Sequence, residues 1–512
     1  MTRGSTWQFE WYAPTNMLVP PIQYKLNKET PEFSRGPASL TISVELHAEN
    51  RKRLCSKLKK IKEVPAGAII FLKGGEEELR NDTDVGPVFR QESYFHWAFG
   101  VEESGFFGAI AVDSGNAVLF CPELPKEYAV WLGKILPREH LQQRYAVDDV
   151  CFINKIADWF AGQKPSVILT LKGKNTDSGN YAEEATFTGI EKFTVNNSLL
   201  FPEIVECRVF KTAKELEILR YVCRISSEAH IEVMRKIKPG MKEFQIESMF
   251  QHYCYYNGGC RHTSYTCICA SGANAAILHY GHAGEPNSRT MEAGDICNFD
   301  MGGEYYCYAS DITCAYPVNG KFTDQQKKIY NTVLKANQAV FNAVKPGVLW
   351  TDMHLLAEKV ILEELTSHGL LKGDISEMQK VNVGALFFPH GLGHLMGIDV
   401  HDVGGYPEGG NERSTLPGLK YLRTARVLEA DMVLTIEPGC YFIESILEEA
   451  MSDEKYKGFL CPDVIRQYLK FGGIRIEDDV VITKNGAELL NHVPRTVEEI
   501  ESVMAGGKFT KI

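Results

Sequence analysis

Apolar residues recur at helical spacing in two stretches of the chain that share the same punctuation. Leu216, Leu219, Val222 and Ile225 form one face of a predicted helix. Thr212 and Glu215 ahead of it have the spacing of a capping box, in which each satisfies a free backbone N–H of the first turn. Lys238-Pro-Gly-Met241 interrupts the pattern, and Phe244, Ile246, Met249 and Phe250 resume it as a second amphipathic run. Lys345-Pro-Gly-Val348 repeats the interruption, and Met353, Leu355, Leu356, Val360 and Leu362 follow. Each unit therefore predicts a helix, a Lys-Pro-Gly turn and another helix.

After each helical pair the pattern changes to short β-prone runs that carry acids. Glu292-Ala-Gly-Asp-Ile-Cys-Asn-Phe-Asp300 and Glu429-Ala-Asp-Met-Val-Leu-Thr-Ile-Glu437 are nine residues each, open Glu-Ala and close on a carboxylate. Asp311-Ile-Thr-Cys-Ala-Tyr-Pro-Val-Asn-Gly320 and Glu477-Asp-Asp-Val-Val-Ile-Thr-Lys-Asn-Gly486 are ten residues each, running from a carboxylate to Asn-Gly. The chain uses one strand pair twice. Two such halves related by a pseudo-twofold would bring Asp300, Asp311, Glu437 and Glu477 to one centre. Buried carboxylates this close need positive charge, and two divalent cations supply it. Hard oxygen donors with one imidazole suit manganese, magnesium, cobalt or zinc. The imidazole is expected from Pro389-His390-Gly-Leu-Gly-His394-Leu-Met-Gly-Ile-Asp-Val-His401-Asp402, where spacing alone does not separate His390 from His394.

Ahead of this duplicated unit, residues 41–200 alternate helical and β patterns. Phe106 to Cys121 predicts a hairpin turning at Asp113-Ser-Gly115. Residues 1–40 are rich in Pro, Ser and other polar types and predict an extension with little structure of its own. The crossing between domains is expected from Asn196-Asn197 to about Phe210, and Glu444 to Tyr468 predicts a charged helical insertion at the rim of the site.

Several long stretches resemble one known family: Leu278-His-Tyr-Gly-His-Ala-Gly284, Phe299-Asp-Met-Gly-Gly-Glu-Tyr-Tyr-Cys307, Pro389 to Tyr406 and Gly472-Gly-Ile-Arg-Ile-Glu477. From about residue 45 onward the chain is similar to the prolidases, the Xaa-Pro dipeptidases of eukaryotic type, which share the pita-bread fold with aminopeptidase P and methionine aminopeptidase. The resemblance implies an α/β (α+β) protein. Its parts would be an extension (1–40), a ribonuclease-H-like N-terminal domain of the prolidase/creatinase type (41–205) and a pita-bread catalytic domain (206–505). It implies a homodimer with two manganese ions held by Asp300, Asp311, His394, Glu437 and Glu477, with Asp311 and Glu477 bridging them.

The activity implied is hydrolysis of dipeptides ending in proline or hydroxyproline, by a hydroxide bridging the two metals. Glu437 would move the proton, and His401 would hydrogen-bond the substrate carbonyl or the developing oxyanion. His390 would lie beside the metals or the substrate, with Tyr265 and Arg475 supporting the site. Arg423 would grip the substrate's terminal carboxylate with the assistance of His279. Trp97 is expected to close the pocket of the partner subunit, and His282 to be structural support.

Composition narrows the alternatives. A net charge of −11 disfavours nucleic acid and anionic membranes as partners. No apolar run approaches the ~20 residues that span a bilayer. The first residues lack the apolar core of a signal peptide, and the fourteen cysteines show no Cys-x-x-Cys pair, so a cytoplasmic protein with reduced thiols is expected. The rivals are an aminopeptidase P acting on longer peptides, a metal-free hydrolase of the same fold, and an inactive binding protein. The last two usually lose the acidic ligands, which are all present here.

Overall fold

A computed structural model describes residues 31–509. The N-terminal half is built on one six-stranded sheet. Its strands are Ile69–Lys73 (β1), Phe107–Ala111 (β2), Ala117–Cys121 (β3), Asp149–Phe152 (β4), Ile168–Thr170 (β5) and Val195–Asn196 (β6). They lie in the order β4-β3-β2-β1-β5-β6, parallel at β3–β4, β1–β5 and β5–β6 and antiparallel elsewhere. Alternation along β1 sends Ile70 and Leu72 to one buried face, shared with Leu46, Leu54 and Leu58 of the helix Glu45–Leu58, and Ile69 and Phe71 to the other. Burial on both faces is why this strand reads as a continuous apolar run. The predicted hairpin is β2–β3, with Gly115 at φ +81° in its turn.

The crossing to the second half is mostly helical. Leu200–Val209 is a helix whose Ile204, Val205 and Cys207 are buried. Of the expected extension, residues 1–30 lie outside the described residues. Glu32–Phe33 pairs antiparallel with Ile42–Ser43, and Phe33 stacks on Tyr306 at 4.1 Å. The end of that segment is thus packed onto the C-terminal half.

The duplication is visible in three dimensions. The helices Ala213–Lys236 (α1) and Glu243–Gly258 (α2) correspond to Asp324–Ala343 (α3) and Trp350–Ser367 (α4). Thr212 and Glu215 form the expected capping box. The two Lys-Pro-Gly turns match in detail. Gly240 and Gly347 have φ of +91° and +89°, a region that favours glycine, and each donates its N–H to a carbonyl at 2.8 Å, Met291 in one half and Leu428 in the other.

In the first half Ile268–Ser271 (β7), Ile296–Asp300 (β8) and Thr313–Pro317 (β9) form an antiparallel sheet in that order. In the second, Val433–Ile436 (β10), Asp478–Ile482 (β11) and Ala487–Leu489 (β12) do the same. The place of β7 beside the central strand is filled there by the histidine-bearing segment: Leu395 bridges Leu434, and the N–H groups of Thr435 and Met396 bond across. Among the described residues no helix is long and apolar enough to cross a membrane, and the fourteen cysteines are all free.

Candidate metal centre

Register explains how residues far apart in sequence meet. Asp300 ends β8 opposite Thr313, and Asp311 lies just before that strand. Ile436 ends β10 opposite Asp478, so Glu437 and Glu477 lie just beyond the last pair. The two carboxylate pairs face one cavity of about 970 Å³, which all four line together with His279, His390, His394, His401, Tyr265, Arg423 and Arg475.

Asp311, His394 and Glu477 offer ligating atoms that all lie within 4.8 Å of one another. His394 Nε2 is 3.3 Å from Asp311 Oδ2 and 3.5 Å from Glu437 Oε1. His394 Nδ1 is 3.1 Å from the Leu395 carbonyl, which leaves Nε2 toward the acids. Asp300 is turned to Tyr265, whose hydroxyl donates to Oδ1 at 2.5 Å, and to Arg475, which donates to Oδ2 at 2.5 Å.

The local sequence sets this geometry. The segment 392–396 approaches β10 so closely that a Cβ on Gly393 would lie 2.1 Å from the Thr435 carbonyl oxygen. Glycine is therefore required for His394 to reach the acids. Thr435 Oγ1 accepts the His394 N–H at 3.1 Å and donates to Glu437 Oε1 at 3.3 Å. The halves also brace each other. Thr313, two residues after Asp311, donates to Glu477 Oε2 at 2.6 Å. Asp479, two residues after Glu477, accepts the Asp311 N–H at 3.0 Å.

The charge balance is unfavourable without added cations. Burial, and then neighbouring acids, push the Asp311 and Glu477 carboxyls well above the ordinary range. Burial raises Glu437 to about 7 despite the opposing His394. Arg475, itself buried, is the cation in contact with Asp300, and its Nε is 3.9 Å from Glu477. Burial holds the imidazoles neutral, His390 at about 3 and His401 at about 2, and lowers His394. Neutral imidazole with hard carboxylates is the donor set that divalent ions take, so these residues fit a metal centre.

His390 and His401 stand apart from that group. His390 Nε2 lies 2.9 Å from the Tyr441 hydroxyl and its Nδ1 3.8 Å from Glu437. The His401 ring stands edge-on to His394 at 4.5 Å. His279 is exposed on the cavity wall, and partial desolvation, helped by Arg475, lowers its pKa. Trp97 does not serve a pocket: it is fully buried in its own chain, donating Nε1–H to Glu215 at 3.1 Å. His282 is exposed at the cavity rim rather than supporting the site from behind. In the expected insertion, the helix Glu444–Ser452 buries Leu447, Ala450 and Met451, while Ile443 and Ile446 line the cavity.

The sequence reading missed Tyr441, which links His390 to Arg475, and also Thr313 and Asp479. The last two occupy matched positions of the repeat and could have been found from it. It missed Thr176, Asp177 and Arg413 as well, which line the cavity from outside the repeat pattern.

This fold and cleft define a metal-dependent hydrolase. The chain belongs to metallopeptidase family M24, whose model matches residues 217–484, and the model of the aminopeptidase P N-terminal domain matches residues 47–167. A protein of Rattus norvegicus named Xaa-Pro dipeptidase is 60% identical over 476 residues, covering 93% of this chain and 96% of its own. The Homo sapiens Xaa-Pro dipeptidase is 59% identical over the same shares. Among solved structures, Pseudomonas aeruginosa aminopeptidase PepP superposes with a TM-score of 0.73 at 31% identity, covering 91% of this chain and 98% of that one. Zinc-substituted Escherichia coli aminopeptidase P in complex with product gives 0.74 at 28%, covering 92% and 100%. The architecture is thus the expected pita-bread domain preceded by an aminopeptidase P-type N-terminal domain.

Proposed function

We propose that this chain is an Xaa-Pro dipeptidase, hydrolysing dipeptides whose second residue is proline or hydroxyproline. The observation that carries the reading is the presence of Arg423 in the same cavity as the four acids and His394, its side chain 30% exposed. A dipeptide places a free carboxylate immediately beyond the scissile bond, and a guanidinium receives it in bidentate geometry.

Asp300, Asp311, His394, Glu437 and Glu477 would hold two divalent ions, manganese in our reading, with Asp311 and Glu477 shared between them. When bound, the ions supply Lewis acidity, which yields hydroxide from water near neutral pH and polarises the scissile carbonyl. The remaining work falls to the chain. Glu437, placed among the acids beside the attacking water, is suited to accept a proton from it and return it to the leaving nitrogen. That nitrogen belongs to a tertiary amide and must be protonated to depart as the secondary amine of proline. His401, held neutral, presents an N–H to the carbonyl oxygen as charge develops on it. His279 and Arg423 hold the terminal carboxylate. Tyr265 and Arg475 fix Asp300, and His390 is fixed by Tyr441.

The proposed domains span 41–205 and 206–505. We further propose a cytoplasmic homodimer: Val130, Trp131 and Leu132 form an exposed apolar surface, with Trp131 81% exposed, of the kind a second copy covers. The test is hydrolysis of Gly-Pro and Gly-Pro-Pro by metal-stripped protein with and without manganese, alongside Arg423→Ala. Manganese-dependent cleavage confined to the dipeptide supports the reading. Arg423→Ala should raise KM for Gly-Pro far more than for Gly-Pro-amide, and an equal loss on both would remove Arg423 from carboxylate recognition. Cleavage of the tripeptide would make the protein an aminopeptidase.

A further inference from the structure

Asp177 comes from the N-terminal half, yet it lines the cavity and reaches both arginines at one end of it. Its Oδ1 accepts from Arg413 Nη2 at 2.6 Å, and its Oδ2 lies 3.4 Å from Arg423 Nη1. The carboxylate is 15% exposed, and the loop that carries it is hydrogen-bonded to itself. Asn175 Oδ1 accepts the N–H groups of Asp177 and Ser178 at 2.9 and 3.0 Å, and Asn175 N–H donates to the Asn180 carbonyl at 2.8 Å. Arg413 is fixed from its other side. It lies over the Tyr406 ring at 4.3 Å and donates Nη1–H to the Leu422 carbonyl at 2.7 Å. The Tyr406 hydroxyl donates to the same carbonyl at 2.6 Å. The backbone just before Arg423 therefore keeps the Tyr406 anchor whatever happens to Asp177.

We propose that Asp177 is a positioning residue of the carboxylate subsite, an internal competitor that shares Arg423 with the substrate and so limits how tightly that subsite holds any ligand ending in a free carboxylate. The inference rests on the reading of Arg423 given above. Its logic is that of turnover. The product proline keeps the carboxylate that Arg423 grips, so a stronger grip binds substrate and product alike and slows release without favouring the transition state. Asp177 cancels one of the two guanidinium charges, so this trio carries one net positive charge, with Lys420 also on the cavity wall. Removing the Asp177 charge has two opposed effects. Arg423 loses one orienting partner, and a bound carboxylate loses a like charge on the same guanidinium. In a partly desolvated cleft the second effect is the larger, because ordering one side chain costs less than the repulsion between two carboxylates on one cation.

The test uses the manganese-loaded protein with Asp177→Asn and Asp177→Glu, and measures KM and kcat for Gly-Pro and Gly-Pro-amide, inhibition by free proline, and the same variants on an Arg423→Ala background. Asp177→Asn should lower KM for Gly-Pro and the inhibition constant of proline by on the order of tenfold. It should lower kcat for Gly-Pro, leave the amide unchanged and have a much smaller effect on the Arg423→Ala background, where only Arg413 still feels the charge, and Asp177→Glu should restore the unsubstituted values. A general structural role would instead weaken the acid and amide ligands together. That result, or no change in proline inhibition, would overturn the proposal while leaving the carboxylate reading intact. If Arg423→Ala itself fails to distinguish Gly-Pro from its amide, the carboxylate reading fails and this proposal falls with it.

Discussion

Replacing Arg475 by methionine isolates the electrostatic problem at the centre of this site. The guanidinium is 3% exposed and donates to Asp300 Oδ2 at 2.5 Å, Thr313 Oγ1 at 3.0 Å and the Tyr441 hydroxyl at 3.0 Å. Methionine fills the space with a flexible, uncharged chain. Thr313 keeps Glu477 as a partner and Tyr441 keeps His390, so neither hydroxyl is orphaned. Asp300 keeps the Tyr265 hydroxyl but loses its counter-charge. Breaking a buried pair by removing one member costs about 3–5 kcal/mol, and the remaining hydrogen bond places this case near 3 kcal/mol. For a protein of 512 residues that is a fall in Tm of roughly 3 °C.

The cost should depend on metal, because cations at the same acids replace the missing charge. The assay is calorimetric melting of chelator-treated and manganese-loaded protein, wild type and Arg475→Met. The expected result is a large deficit without metal and a much smaller one with it. A variant that melts with the wild type when metal-free, or that shows the same deficit in both states, would refute the view that this end of the cleft is short of positive charge.

Other consequences are as direct. Thr313→Val removes the 2.6 Å bond to Glu477 Oε2 and should weaken metal binding 10–100-fold, measured by competition with a chromophoric chelator, with kcat recovering at high metal. Gly393→Ala places a methyl group 2.1 Å from the Thr435 carbonyl oxygen and should displace His394. It should cost about 2–3 kcal/mol of stability and most of the activity, and a Gly393→Ala protein with full turnover would contradict the close approach of that segment to β10.

The four acids were legible because duplication writes the same local message twice: β-prone residues ending in a carboxylate, then a carboxylate opening the next strand. The turns at Gly240 and Gly347 were legible for the same reason. His394 could not be told from His390 by spacing. What separates them is tertiary: the 392–396 segment lies against β10 with His394 toward Asp311, whereas His390 is drawn off by Tyr441. Trp97 misled because an aromatic run looks alike whether it faces solvent or a buried carboxylate, and Glu215, which accepts its N–H, is 118 residues away. Asp177 gave no signal because Arg413 is 236 residues distant, outside any repeat or motif.

The duplication also bears on how such a site originates. In an ancestor made of two identical halves, one substitution to Asp or Glu on the symmetry axis delivers two carboxylates at once, so two substitutions supply four. Contributions without a counterpart are a different matter. His394 lies where the first half carries β7, and Arg475 has no partner across the axis. Such residues can be acquired only after the halves have diverged. Symmetry accounts for gathering the acids, and its loss accounts for giving the cleft two different ends, one where the acids and His394 gather and one where Arg413 and Arg423 stand.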